Sequence, residues 1–241
     1  MPKLLFALFL ALCVSTLGLG QTTQRASAED AMESLMIERM AVIEELHCIE
    51  FDDNWKPRVS FGFPDDLSMS ERSDWDGCYL PETQSFLFAP MHRYGKEISL
   101  LDHELGHALM DQVSRRSANR PWPDYECVIY MTIKEKVSVK IRSEGVGTYF
   151  EYKGQPPYKD DDQYGFNWLP SGPEDLAWDN IHYSYMGGRW IVAPIIKQYG
   201  EQGLVYIITH PIEYHYDNLR EGAKAYREKA LKELATTTTP P

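Results

Sequence analysis

Residues 100–111 read LLDHELGHALMD, an apolar run interrupted by His103, Glu104 and His107. On an α-helix, residues four apart lie one above the other, so the two imidazoles project from one face and can share a metal ion. Glu104 points beside that position, where it can take a proton from a bound water instead of ligating the ion. An ion that accepts mixed nitrogen and oxygen donors at about 2.0–2.2 Å, with three protein ligands and one place left for water, matches zinc. The opposing reading is two histidines packed in a core. It does not explain why all three positions of the HExxH pattern fall together on a segment of helical periodicity.

A third ligand is required. Met110 and Val113 occupy the positions where a glycine and a third histidine would continue a metzincin pattern, so the ligand comes from elsewhere in the chain. Asp111 lies a further turn along the helix and is expected to support an imidazole from behind. The best-placed donor is Glu144 in RSEGVGTYFEY, in the middle of the second predicted helix, where Gly145 and Gly147 permit close approach of a neighbour. By distance along the chain alone, Glu135 and Glu151 remain alternatives.

HELGH together with EGVGTYFE resembles the gluzincin branch of zinc metallopeptidases, in which HExxH on one helix pairs with a glutamate on the next. The likeness spans about residues 83–200, is strongest at 103–107 and 144–151, and is closest to minimal gluzincins. It implies that His103, His107 and Glu144 hold one zinc ion per chain and that Glu104 is the general base. It also implies an α+β, zincin-like fold: a small N-terminal β-sheet, then an active-site helix and a glutamate helix in a mainly helical C-terminal part. Many gluzincins stabilise the oxyanion with a Tyr or His from the segment after the glutamate helix. In NIHYSYMGGRWIV, Tyr185 stands three residues before Gly188, similar to the family's Tyr-x-x-Gly, with Tyr183 and His182 as alternatives.

The implied substrate is a peptide or protein. In zincins an extended peptide pairs with the strand bordering the cleft, and TQSFLFAP is the expected strand here, with Phe86 and Phe88 equally readable as core residues. The Gly-x-Met-Glu-Asn segment with which related aminopeptidases hold a free N-terminus is absent, so cleavage of internal bonds is expected. Two other readings stand beside this one. The first is a zinc amide hydrolase acting on cell-wall or other non-protein substrates. The second is a latent or non-catalytic zinc-binding protein. A purely structural zinc site commonly has four protein ligands and no use for Glu104.

These residues need elements to position them. Met32, Leu35, Met36, Met40, Ile43 and Leu46 predict an amphipathic helix over 29–47. Short aromatic runs separated by Pro, Gly, Asp and Asn predict a small sheet over 49–92. The HExxH helix is expected to open at Ser99 as N-cap, with Asp102 in its first turn, and its apolar periodicity reaches about Val113 before SRRSANRPWP ends it. Pro121, Pro123 and Asp124 predict the start of the glutamate helix, which continues towards Phe150. After the loop YKGQPPYKDDDQYG come short helices near 173–178, 185–199 closed by Gly200, and 203–209, then a charged helix over 219–234. We read residues 21–235 as one catalytic domain and 236–241 as a disordered tail.

The first 20 residues, with Lys3, an apolar run from Leu4 to about Leu12 and small residues ending at Gly20, read as a signal peptide. A secreted or periplasmic protein with no stable membrane insertion after signal removal is expected. Its removal takes away one lysine and no acid, moving the net charge from −12 to −13. Such acidity, with no clustered basic face, excludes nucleic acid as a partner. Cys48, Cys78 and Cys127 would remain, and Cys48 with Cys78 is the expected disulfide, with Cys127 a buried thiol.

Overall fold

Met32, Met36, Met40 and Ile43 are all buried, and their spacing turns one face of the first helix, α1 (Gln21–His47), into the core. In this computed structural model the fold is described for residues 21–65, 68, 75–90, 97–122, 132–151, 169, 183–213 and 219–237. The expected signal segment, Cys127, the helix near 173–178 and the loop after Glu151 lie outside these residues. The described part is α+β, mostly helical, with one three-stranded sheet. No described helix is long and apolar enough to cross a membrane.

The sheet contains β1 (Val59–Phe61), β2 (Gly77–Leu80) and β3 (Ser85–Phe88) in the order β1-β3-β2. β3 runs parallel to β1 and antiparallel to β2. Phe86 and Phe88 are fully buried core residues on the central strand. The expected role of TQSFLFAP as a cleft edge is therefore overturned: both of its edges already pair with neighbouring strands, and a central strand has no free ladder to offer a peptide. Cys48 and Cys78 are both free thiols, so the expected disulfide does not form. One ends α1 in the left-handed region, at φ 52°, and the other lies within β2.

The HExxH helix, α2 (Glu97–Ala118), begins two residues before the expected cap, which leaves Ser99 inside it. It also runs past Val113 and closes at Asn119, whose φ of 53° suits an αL cap. Arg39 of α1 donates two 2.7 Å hydrogen bonds to the buried carboxylate of Asp102. Asp102 is thus a tie between two helices rather than a first-turn charge.

The glutamate helix, α3 (Ile133–Glu151), opens on a capping box that the sequence reading passed over. The Thr132 N–H donates to Glu135 Oε2 at 2.7 Å, and the Glu135 N–H donates to Thr132 Oγ1 at 3.3 Å. The helix described here starts at that box rather than at Pro121, and residues 123–131 lie outside the description. After a π-helical turn (Tyr183–Gly187), α4 (Gly188–Thr209) bends at Gly200, whose φ of 53° and ψ of −127° break the helical run where the sequence predicts a stop. A side chain there would also press on the carbonyl oxygen of His47. The last helix, α5 (Leu219–Thr237), packs Ala223, Tyr226, Ala230 and Leu234 inward and continues two residues into the expected tail.

One buried cation joins α3 to the end of α4. The Arg142 guanidinium donates to the carbonyl oxygens of Ile207, Ile208 and His210 and lies 4.7 Å from the Trp122 ring centroid. It occupies the place where a helix C-terminus leaves carbonyls unsatisfied and carries partial negative charge. Arg142→Met should therefore cost about 3 kcal/mol, or about 6–12 °C in Tm for a chain of this size. Thermal denaturation followed by circular dichroism measures it. A shift under about 2 °C would mean that water replaces the guanidinium at those carbonyls.

Candidate metal centre

Helices α2 and α3 cross where glycine removes the side chains that would separate them. A Cβ on Gly147 would stand 2.7 Å from Nε2 of His103, so the imidazole lies directly against the backbone of α3. A Cβ on Gly145 would meet the Gly188 carbonyl carbon at 2.4 Å, which lets the start of α4 pack on the opposite side of α3. The same contact brings the preceding π-turn to the site, and the Tyr185 ring stacks on His103 with centroids 5.2 Å apart.

Within this crossing, Nε2 of His103 and Nε2 of His107 lie 3.1 Å apart, and Oε2 of Glu144 stands 3.3 Å from the first and 3.8 Å from the second. Three donors bound tetrahedrally at about 2.0–2.1 Å to a common ion would be about 3.3–3.4 Å from one another. Glu144 Oε2 is buried and has no hydrogen-bond partner. An orphaned carboxylate oxygen facing two imidazole nitrogens is the arrangement a cation satisfies. His103, His107 and Glu144 therefore form a group that can hold a metal ion.

Each imidazole is oriented from behind. His103 Nδ1 lies 3.3 Å from Glu151 Oε2, and His107 Nδ1 lies 3.1 Å from Ser143 Oγ. Because an ionised carboxylate only accepts, Nδ1 of His103 carries the hydrogen, and in the neutral ring the Nε2 lone pair points inward. Of the three glutamates that chain distance left open, Glu144 is the one that meets Nε2 of both histidines, and Glu151 lies behind His103 at Nδ1. Glu135 is exposed and caps the start of α3.

Asp111 does not support an imidazole, contrary to expectation. Fully buried, it accepts from the Tyr79 hydroxyl at 2.8 Å, the Trp122 N–H at 2.7 Å and Arg115 Nε at 3.0 Å. It sits two turns beyond Glu104, against β2 and the chain after α2 rather than against α3. His182 and the side chain of Tyr183 lie outside the described residues.

Electrostatics favour positive charge at the centre. Burial acts to lower His103, but the Glu144 and Glu151 carboxylates, with Glu104 behind them, hold it above the usual histidine value. Burial acts to raise Glu144, yet its histidine neighbours hold it below the usual carboxylate range. Burial lowers His107 to about 4, so it is neutral and ready to ligate at neutral pH. Glu104 is pushed up to about 7, chiefly by burial and next by the neighbouring carboxylates, against the opposing charge of His103. Its Oε2 accepts the Tyr79 N–H at 2.7 Å. Burial and the charges of Glu144 and Glu104 push the Tyr185 hydroxyl well up, which keeps it a proton donor. Burial, then Glu104 and Glu82, push the Cys78 thiol up to about 12, so it is no thiolate ligand.

Ser143 and Tyr79 belong to the site without any sequence signal. Glu151 had one, since it lies seven residues from Glu144 and so shares its helix face. Glu151→Gln should weaken metal binding about 10–100-fold, measured by competition with a chromogenic chelator, while Glu135→Gln leaves it unchanged. Equal affinities for the two variants would remove Glu151 from the site.

Searches of protein-family models, curated proteins and solved structures find no match to this chain.

Proposed function

We propose that this chain is a zinc-dependent peptidase of the gluzincin type, secreted or periplasmic, which hydrolyses internal bonds of a peptide or protein substrate. The observation that carries the reading is the triangle of His103, His107 and Glu144 donors with Glu104 beside it on the same helix. The order of elements, a small sheet followed by two crossing ligand helices, supports a zincin-like fold.

The three donors would hold zinc, which supplies a water of pKa about 7 and polarises a carbonyl. Glu104, whose Oε2 is held by the Tyr79 N–H, takes the proton of the attacking water and returns it to the leaving amine. The Tyr185 hydroxyl donates to the carbonyl oxygen as negative charge develops on it. On β2, alternation turns the main-chain groups of Gly77 and Tyr79 away from β3, towards the side on which the Tyr79 N–H meets Glu104. This outer edge, with its Gly77 groups, is where an extended peptide finds main-chain partners.

Incubating the zinc-loaded protein with a quenched peptide library tests the reading. We expect cleavage between internal residues, abolished by a chelator and restored by zinc. One bound zinc per chain with no cleavage of any peptide would sink the peptidase reading and leave an amide hydrolase of other substrates or a zinc-binding protein.

A further inference from the structure

Glu104, Asp111 and Arg115 stand at i, i+7 and i+11 of α2, so they form one stripe along the helix. All three meet β2 or the residue after it. Glu104 Oε2 accepts the Tyr79 N–H at 2.7 Å, Asp111 Oδ2 accepts the Tyr79 hydroxyl at 2.8 Å, and Arg115 Nη2 donates to the Pro81 carbonyl at 2.8 Å. Tyr79 is thus bound to α2 at both ends, by its backbone and by the tip of its side chain. Its ring is buried against Phe86, with centroids 5.2 Å apart.

The Asp111 anchor is itself rigid. The carboxylate is fully buried, and the Trp122 N–H and Arg115 Nε hold it in addition to Tyr79. A buried acceptor with three donors resists rotation. The strand it clamps is only four residues long, at the edge of a small sheet, and would otherwise be weakly held.

A glutamate beside a metal position has torsions that can swing its carboxylate onto the ion, where it would ligate instead of accepting a proton. We propose that Tyr79, anchored through its hydroxyl on Asp111, is the positioning residue for Glu104: its backbone N–H fixes Oε2 and so holds the carboxylate beside the His103–His107–Glu144 triangle instead of on the ion. The inference rests on the reading of Glu104 as general base. Tyr79 acts through that carboxylate and contacts no reacting atom.

Tyr79→Phe removes one hydroxyl and keeps the ring. In the zinc-loaded variant, labelled with ¹⁵N, we expect hydrogen exchange at the residue-79 amide to rise about tenfold over the wild-type protein, with zinc content unchanged. With a cleavable peptide, kcat should fall about tenfold at unchanged KM, and this loss should vanish in a Glu104→Asp background, where the base is already displaced. Asp111→Asn, which keeps the volume but replaces one acceptor with a donor, should give the same pattern should the phenylalanine variant prove unstable. An unaltered residue-79 amide in both variants overturns the proposal, as does a fall in Tm with kcat intact. If the wild-type protein cleaves no peptide, the peptidase reading fails, and the amide exchange still decides whether Tyr79 holds Glu104.

Discussion

Glu104→Gln should lower kcat by about 10³-fold while the protein keeps one metal ion per chain. The loss follows from replacing a buried carboxylate that adjoins the donor triangle, on the same helix as both histidines, and that burial pushes up to about 7. Retention of metal follows because the His103, His107 and Glu144 donors are untouched. Glutamine is nearly isosteric, and its amide oxygen can still accept the Tyr79 N–H that Glu104 Oε2 accepts now. The fold should survive as well, since the buried position at present penalises a charge that the amide does not carry. Turnover of a cleavable peptide and metal content by elemental analysis provide the two readouts. Metal retention with undiminished turnover would remove Glu104 from the chemistry, whereas loss of metal would make it a ligand.

Chelation should lower Tm by about 8–16 °C. A metal bound at about a thousand times its dissociation constant stabilises the folded state by about 4 kcal/mol, and each kcal/mol corresponds to about 2–4 °C in a chain of this length. The effect is large here because removal takes away the cation among the Glu104, Glu144 and Glu151 carboxylates and leaves His103 to offset their mutual repulsion. Glu144→Ala should melt at the same temperature with or without chelator. Scanning fluorimetry on both proteins measures it. Equal melting of the wild-type protein with and without chelator would show that the site holds no ion strongly enough to contribute to stability.

The chain's own order of residues determined the parts of this protein that depend on helical periodicity. His103, Glu104 and His107 are within four residues of one another, so any helix places them together whatever surrounds it. Glu144 required more: the structure brings it to Nε2 of both histidines, while Glu151 of the same segment goes to Nδ1 of His103. The break at Gly200 was also legible, because its cause is local backbone geometry. So was the inward stripe of α1.

Contacts between distant segments were decided only by the tertiary structure. Whether β3 lies at an edge or in the centre depends on which strands pair, and pairing is a long-range outcome that four alternating residues do not encode. Asp111 looks the same in sequence whether it supports an imidazole or receives Tyr79, Trp122 and Arg115; the packing of β2 on α2 makes the choice. Asp102 became the partner of Arg39, 63 positions away, for the same reason. Side-chain types and their helical spacing thus specify what chemistry is on offer, whereas the partners that orient it are set by which surfaces meet when the core closes.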